Sequence, residues 1–198
     1  MLAAEDVQRY LSGAWRLMLG KADGLRLLDL TADGFWNSFF AIVVAAPALV
    51  VGWVGVSDQI ALGDAAAAGR LAMVLKLAVV DVGAWVLPLA AFALVARSAG
   101  VGDRFVHYVV ASNWTSAILA WLMLPATLSR LLLPAATGFT SLLSLALFVV
   151  SMVFSWRMTN AAIGKGAAVG SAVFAGMFVA SLLVLLVLQS LLGIALPG

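Results

Sequence analysis

Two ionisable residues, Lys76 and Asp81, lie in or beside a long apolar stretch that covers 71–96. Burying a charged side chain in the middle of a bilayer costs at least about 2.5 kcal/mol, so such a residue is a functional candidate. A helix that begins at Leu71 puts Asp81 about 15 Å along its axis, where a carboxylate can exchange a proton or bind a cation. A span counted back from Arg97 leaves Asp81 only about 6 Å deep, with Lys76 extended to the interface. The sequence leaves both depths open.

The next apolar stretch, 109–128, carries a second set of polar residues: Ser112, Asn113, Thr115 and Ser116. The three hydroxyl residues share one face of a helix, and Asn113 lies beside that face. An asparagine within a span commonly hydrogen-bonds a neighbouring helix, a contact that contributes about 0.6 kcal/mol on average. The same side chains, chiefly Ser112, Asn113 and Ser116, also suit the lining of a solute path. We favour the interhelical contact.

His107 is the single histidine, and it lies beside Asp103 and Arg104 at the start of this stretch. Because an unperturbed imidazole titrates at about pH 6.5, His107 is a candidate pH sensor, and a solvated interfacial side chain is the alternative. One histidine and no cysteine exclude multi-histidine and thiolate metal sites, disulfides and thiol catalysis. A serine nucleophile needs a base within reach, and no serine here has an evident one. The pattern predicts a non-enzymatic protein that needs no cofactor.

The composition places most of the chain in lipid. Hydrophobic residues make up 65% of the sequence and charged residues 10%, whereas soluble domains have about 45–50% and about 25%. A soluble fold of 198 residues cannot hide this much apolar surface from water. The net charge of +2 is too small and too scattered to indicate a nucleic-acid partner.

Five apolar stretches are each long enough for a helix that crosses the hydrocarbon core, which takes about 20 residues. They are continuously apolar and do not alternate with a period of two, which favours helices over a β-barrel. Polar or glycine-containing segments separate them, at Ser57-Asp58-Gln59, Gly63-Asp64, Ser98–Asp103, Arg130–Pro134 and Asn160–Gly166. The prediction is an all-α membrane protein, a bundle of about five transmembrane helices within 35–198, at 35–56, 73–96, 109–128, 135–155 and 167–192.

Residues 1–34 form a more polar N-terminal segment, which we predict to be cytoplasmic. Its apolar residues recur at helical spacing, at Val7, Tyr10, Leu11, Ala14, Trp15 and Met18. The other face carries Gln8, Arg9, Ser12 and Arg16. A tryptophan on the apolar side with basic residues opposite suits the membrane–water interface. We predict an interfacial amphipathic helix ahead of the bundle, with Asp33 as the N-cap of the first span.

The positions of lysine and arginine predict the orientation. With the N-terminus in the cytoplasm, that side receives Arg9, Arg16, Lys21, Arg26, Arg97, Arg104, Arg157 and Lys165. The opposite side receives Arg70 and Arg130. Cytoplasmic loops of membrane proteins carry an excess of basic residues, so this asymmetry fits a cytoplasmic N-terminus. Five spans then place the C-terminus on the opposite side.

Two short motifs open the first and third spans. They are Phe35-Trp36-Asn37-Ser38-Phe39-Phe40 and Phe105-Val106-His107-Tyr108-Val109-Val110-Ala111-Ser112-Asn113-Trp114. With the layout of five spans, they resemble small alphaproteobacterial inner-membrane proteins of the Yip1-like superfamily. The resemblance implies a non-enzymatic multi-pass protein of the bacterial inner membrane, and the orientation derived above then places the C-terminus in the periplasm. It transfers no functional residues.

Two functions are compatible with these features. We favour a non-enzymatic accessory or scaffold protein that binds lipid or another membrane protein, because buried charge is scarce. The alternative is a small-solute or proton-coupled transporter that acts as a homodimer and uses Asp81 and Asn113. A carrier normally has several polar groups that converge on a central cavity, and the sequence identifies few.

Overall fold

The computed structural model describes residues 2–60, 67–133 and 135–194. These ranges contain seven α-helices and two short 3₁₀ helices, joined by loops. The α-helices are α1 (Ala4–Met18), α2 (Ala32–Ser38), α3 (Ala41–Ile60), α4 (Ala67–Val95), α5 (Phe105–Leu132), α6 (Thr137–Ile163) and α7 (Ala167–Leu191). The 3₁₀ helices are Ala22–Leu27 and Gly102–Arg104. These ranges contain no strand, which confirms the predicted all-α class.

Five helical segments are long and apolar enough to cross a membrane, as the composition predicts. They are Ala32–Ser57, Gly69–Val95, Gly102–Leu132, Thr137–Ile163 and Ala167–Leu191. Large apolar side chains cover the outside of the bundle; for example, Leu94 is 86% exposed and Leu191 is 76% exposed. Contiguous apolar surface of this kind is unfavourable in water and neutral in lipid. The protein is therefore membrane-embedded.

Three helix ends differ from the sequence prediction. Helix α5 continues through Arg130, a predicted loop residue, to Leu132. The predicted loop at Ser57 is helical, since α3 continues to Ile60. Helix α6 passes through Asn160, also a predicted loop residue, and ends before Gly164, whose φ of 61° is the left-handed geometry of many C-caps. Hydropathy marks where lipid ends, and a helix continues beyond that point while its backbone groups stay hydrogen-bonded. The predicted loop residues at 63–64 lie outside the described residues.

The N-cap of α2 is Thr31, so the prediction of Asp33 is wrong. Thr31 Oγ1 accepts a hydrogen bond from the backbone N–H of Gly34 at 3.1 Å. Asp29 Oδ1 accepts from the Thr31 hydroxyl at 2.7 Å and from the Thr31 backbone N–H at 3.0 Å. Thr31 has the extended backbone of an N-cap, whereas Asp33 lies in the first helical turn. In that turn, the negative charge of Asp33 interacts favourably with the positive end of the helix dipole. Both residue types cap helices, and the backbone decides between them.

Two carboxylates in the N-terminal segment, Asp23 and Asp29, make the stability of the folded protein decrease at acidic pH. The Arg16 guanidinium lowers the pKa of Asp23, and hydrogen bonds from Thr31 lower the pKa of Asp29. Each stabilises the folded state above its unfolded pKa of about 3.9, and this contribution is lost as the pH falls through the lowered folded value. We expect the melting temperature, followed by tryptophan fluorescence, to fall less steeply below pH of about 4 in Asp23→Asn/Asp29→Asn than in the wild type. Equal slopes would contradict this assignment.

Helix α5 is the centre of the bundle. Its side chains from Tyr108 to Ala111 and that of Trp114 are buried, and α1, α2, α3 and α6 all pack against it. Helix α4 runs antiparallel to α5, since the Phe92 ring lies 5.1 Å from Tyr108, whereas Trp85, earlier on α4, hydrogen-bonds Asn113, later on α5. Helix α4 also packs on α3 and α7. Helix α5 is therefore in contact with α1, α2, α3, α4 and α6.

Basic residues gather at one end of the bundle, which we call the basic end. It consists of the α4–α5 and α6–α7 loops and the adjoining helix ends, with Arg97, Arg104, Arg157 and Lys165. Lys165 Nζ donates to the carbonyl of Gly100 at 2.7 Å and to Asp103 at 2.6 Å, which ties the two loops together. The far end is where α4 begins and α7 ends.

The amphipathic helix α1 packs directly against the bundle. The Tyr10 ring lies 5.3 Å from Trp114 on α5, and the Trp15 ring lies 5.6 Å from Phe154 on α6. Ala14, Leu17 and Met18 are fully buried. The polar face predicted from the sequence is exposed at Gln8, Arg9 and Ser12. Helix α1 is thus part of the hydrophobic core of the bundle as well as an amphipathic element.

Candidate functional site

A cavity of about 650 Å³ lies among α3, α4, α5, α6 and α7 in the half of the bundle away from the basic end. We call it the Asp81 cavity. Its polar lining consists of Asp81, Arg130, Gln189, Ser116, Thr127, Ser144 and Ser151. Apolar side chains and the indoles of Trp53 and Trp85 form most of the remaining wall. Small-molecule sites have this character: they are concave, mostly apolar, and carry a few convergent polar groups.

Asp81 is an acid without a cationic partner among the described residues. Its Oδ2 accepts a hydrogen bond of 2.7 Å from Trp53 Nε1, which brings α3 and α4 together. A neutral donor orients a carboxylate but leaves its charge uncompensated, and a partly buried charge is stable only when something balances it. A carboxyl group in this setting is balanced either by a bound proton or by a positive group that enters the cavity.

Lys76 does not form an ion pair with Asp81. Its Nζ donates at 2.8 Å to the carbonyl of Leu192, the C-cap of α7, so Lys76 lies at the far end of the bundle. Five residues of helix separate Asp81 from Lys76, which corresponds to about 7.5 Å along α4. Helix α4 begins at Ala67, ahead of both helix starts considered from the sequence, so both depths of Asp81 stay predictions. The separation of Lys76 from Asp81 agrees with the poor pairing expected for these positions on one helix.

Arg130 lies on the α5 side of the same cavity and does not pair with Asp81. Its Nη2 donates to the Ser144 hydroxyl on α6 at 3.1 Å. The cavity therefore presents a carboxylate and a guanidinium at separate places on its wall. The sequence did not identify Arg130 as a cavity residue, because a basic residue near the end of a span is normally an interfacial anchor.

Asn113 bonds neighbouring helices, as the favoured interpretation of the sequence predicts. Its Oδ1 accepts from Trp85 Nε1 on α4 at 2.8 Å, and its Nδ2 donates to Ser38 Oγ on α2 at 2.8 Å. The side chain is fully buried and does not line the Asp81 cavity. Asn113 thus acts on the cavity through Trp85, which it holds in place.

No family model, curated protein or solved structure matches this chain. The Yip1-like resemblance therefore stays a prediction, and the function has to be inferred from the geometry of the site.

The structure brings together only part of the predicted set of site residues. Asp81 and Ser116 line the Asp81 cavity, and Ser112 lines a second, smaller cavity together with Ser116. Lys76 lies at the far end and Asn113 lies behind Trp85. Trp53 and Trp85, which contact Asp81 and Asn113, were not predicted, because tryptophan in an apolar stretch normally marks packing or an interface.

His107 lies in the first turn of α5 and lines neither cavity. Its side chain is half-buried, and its Nδ1 is buried without a hydrogen-bond partner among the described residues. The imidazole is thus next to the loops of the basic end and remote from Asp81. Its role as a pH sensor stays a prediction.

Proposed function

We propose that this membrane protein is a carrier for a small organic cation, with Asp81 as the anionic ligand. The observation that supports this function is the Asp81 carboxylate on the wall of a cavity of about 650 Å³, where it has no cationic partner among the described residues. A cavity of this size falls within the range of small-molecule sites, about 300–1,000 Å³. The positive-inside rule favours an orientation with the basic end in the cytoplasm, so that the Asp81 cavity lies towards the other side.

The lining favours an organic cation over a metal ion. A hard metal ion requires several oxygen ligands at once, and Asp81 is the one acid among the described lining residues. Indole faces attract cations through their ring quadrupole, most strongly when water is excluded. Trp53 and Trp85 both line the cavity, and Trp85 lies one helical turn after Asp81 on the same face of α4. A carboxylate with two indoles beside it suits an ammonium group that carries apolar substituents.

The accessory or scaffold function, which the sequence favours, gives no role to this carboxylate on the wall of a cavity. Scarcity of buried charge was one argument for that function, and both Asp81 and Arg130 line the Asp81 cavity. Homodimer formation, part of the transporter alternative, stays a prediction. We therefore place the carrier first.

Uptake into proteoliposomes tests the proposed function. The protein is reconstituted, an inside-negative membrane potential is imposed, and uptake of radiolabelled tetraethylammonium, choline and putrescine is measured against protein-free liposomes. We expect saturable uptake of at least one of these cations, reduced by the same unlabelled cation and unaffected by acetate. Uptake at the protein-free level for all three cations would overturn the proposal.

A further inference from the structure

A second cavity, of about 300 Å³, adjoins the Asp81 cavity on the side of the basic end. Hydroxyl groups make up much of its polar lining, so we call it the hydroxyl cavity: Tyr108, Ser112, Thr115, Ser116, Ser155, Thr159 and Ser181. The two cavities share three lining residues, Ala84, Trp85 and Ser116. Together they extend along α4 and α5 from the far half of the bundle towards the basic end.

The hydroxyl cavity is suited to hold water. Thr115 is 1% exposed, and its Oγ1 has no hydrogen-bond partner among the described residues. A buried hydroxyl without a partner is unfavourable, and a bound water is the usual way to satisfy it. Water occupies about 30 Å³ in the liquid, so a cavity of this volume has room for several molecules. A hydrated, hydroxyl-lined space is a suitable path for a cation that leaves the Asp81 cavity.

Trp85 stands where the two cavities meet. Its indole is fixed by the bond of 2.8 Å from Nε1 to Asn113 Oδ1, and Asn113 is itself fixed by its bond to Ser38. Asn113, which accepts from the indole, is 0% exposed, and Ser38, which accepts from Asn113, is 1% exposed. This chain of hydrogen bonds holds the largest side chain at the junction in one position.

Helix α4 is weakened next to Trp85. Pro88 lies within α4 and lines the hydroxyl cavity. Proline has no N–H, so it cannot donate the helical hydrogen bond to the carbonyl of Ala84, four residues earlier. Ala84 is also a junction residue. The helix is thus more easily bent at the level where the indole would have to move.

We propose that Trp85 is the gate between the Asp81 cavity and the hydroxyl cavity, and that Asn113 is the positioning residue that keeps this gate closed. The two cavities and the gate then form the path of the cation through the bundle. As a route for that solute, the inference rests on the proposed function. As a barrier between two water-accessible spaces, it is testable without any transported solute.

The absence of cysteine from the sequence allows a direct accessibility experiment. One reporter is Gly52→Cys, since Gly52 lines the Asp81 cavity and an added Cβ there meets nothing within 4 Å. The other is Ser155→Cys in the hydroxyl cavity, where the change is nearly isosteric. Each variant is treated with a membrane-impermeant methanethiosulfonate reagent in right-side-out and in inverted vesicles. With the gate closed, we expect the two reporters to react from opposite sides of the membrane.

Adding Trp85→Ala to each reporter is expected to raise its labelling rate from the formerly closed side at least tenfold. Asn113→Leu keeps the indole but removes its hydrogen bond, so it should raise the same rate by a smaller factor and serves if Trp85→Ala folds poorly. Trp121→Ala is the matched control, because Trp121 is 46% exposed and lines neither cavity. It should leave the sidedness unchanged.

Unchanged sidedness in folded Trp85→Ala and Asn113→Leu proteins would overturn the gate, as would two reporters that react from the same side without these changes. The outcome is separable from that of the uptake assay. Loss of sidedness without uptake of any tested cation supports the gate and refutes the proposed substrate class. Uptake with unchanged sidedness refutes the gate alone.

Discussion

Asp81→Asn is expected to weaken the apparent affinity for the transported cation at least about 30-fold, because removing one partner of a desolvated charge pair costs about 2–5 kcal/mol. The substitution keeps the shape of the side chain, and the amide oxygen still accepts the hydrogen bond that Trp53 Nε1 gives to Asp81. The contact between α3 and α4 should therefore persist while the charge is lost. The measurement is the concentration dependence of cation uptake into proteoliposomes.

Two further variants make this result specific. Asp33→Asn also removes one negative charge, but Asp33 is exposed in the first turn of α2 and lines neither cavity, so uptake should match the wild type. Asp81→Glu keeps the charge and displaces it, so uptake should be retained with a changed affinity. If Asp81→Asn keeps both its melting temperature and wild-type uptake, Asp81 is not the cation ligand.

Gly24→Val should cause the largest loss of stability outside the membrane spans. Gly24 lies in the 3₁₀ helix Ala22–Leu27, which crosses α1 at Gly13 in direct backbone contact. A Cβ at Gly24 would collide with the Gly13 carbonyl, and a Cβ at Gly13 would lie 2.9 Å from the Gly24 carbonyl. Backbone atoms cannot turn away as side chains do, so α1 must shift off the 3₁₀ helix. We expect a cost of about 3 kcal/mol, or about 6–12 °C in melting temperature for a chain of this size.

The matched control for Gly24→Val is Gly176→Val. Gly176 lies on the outer face of α7, and an added Cβ there meets nothing within 4 Å. The same change of residue type should therefore leave the melting temperature of the purified protein close to that of the wild type. A fall of similar size in both variants would show that the Gly13–Gly24 contact has no special role, and that valine is unfavourable for a general reason.

The sequence by itself determined the fold class and the number of long helices. A segment of about 20 apolar residues must satisfy its own backbone hydrogen bonds in lipid, and the α-helix does this with local contacts alone. The amphipathic pattern of α1 was also visible from spacing, because residues that share one face of a helix recur about every 3.6 positions. The end of α6 and the cap of α2 were missed, because the backbone geometry at Gly164 and Thr31 decides them.

The sequence also singled out Asp81 and the polar residues of α5, because polar groups are expensive in lipid and therefore few. It did not show which of them share a cavity. Trp53 and Asp81 are 28 residues apart, and Lys76 and Leu192 are 116 apart. Which faces of two helices meet depends on their rotation and crossing. Since lipid chains are as apolar as the side chains that pack helix on helix, hydropathy cannot distinguish an inward face from an outward one. Only the tertiary structure brought Asp81, Arg130 and the two indoles to one cavity.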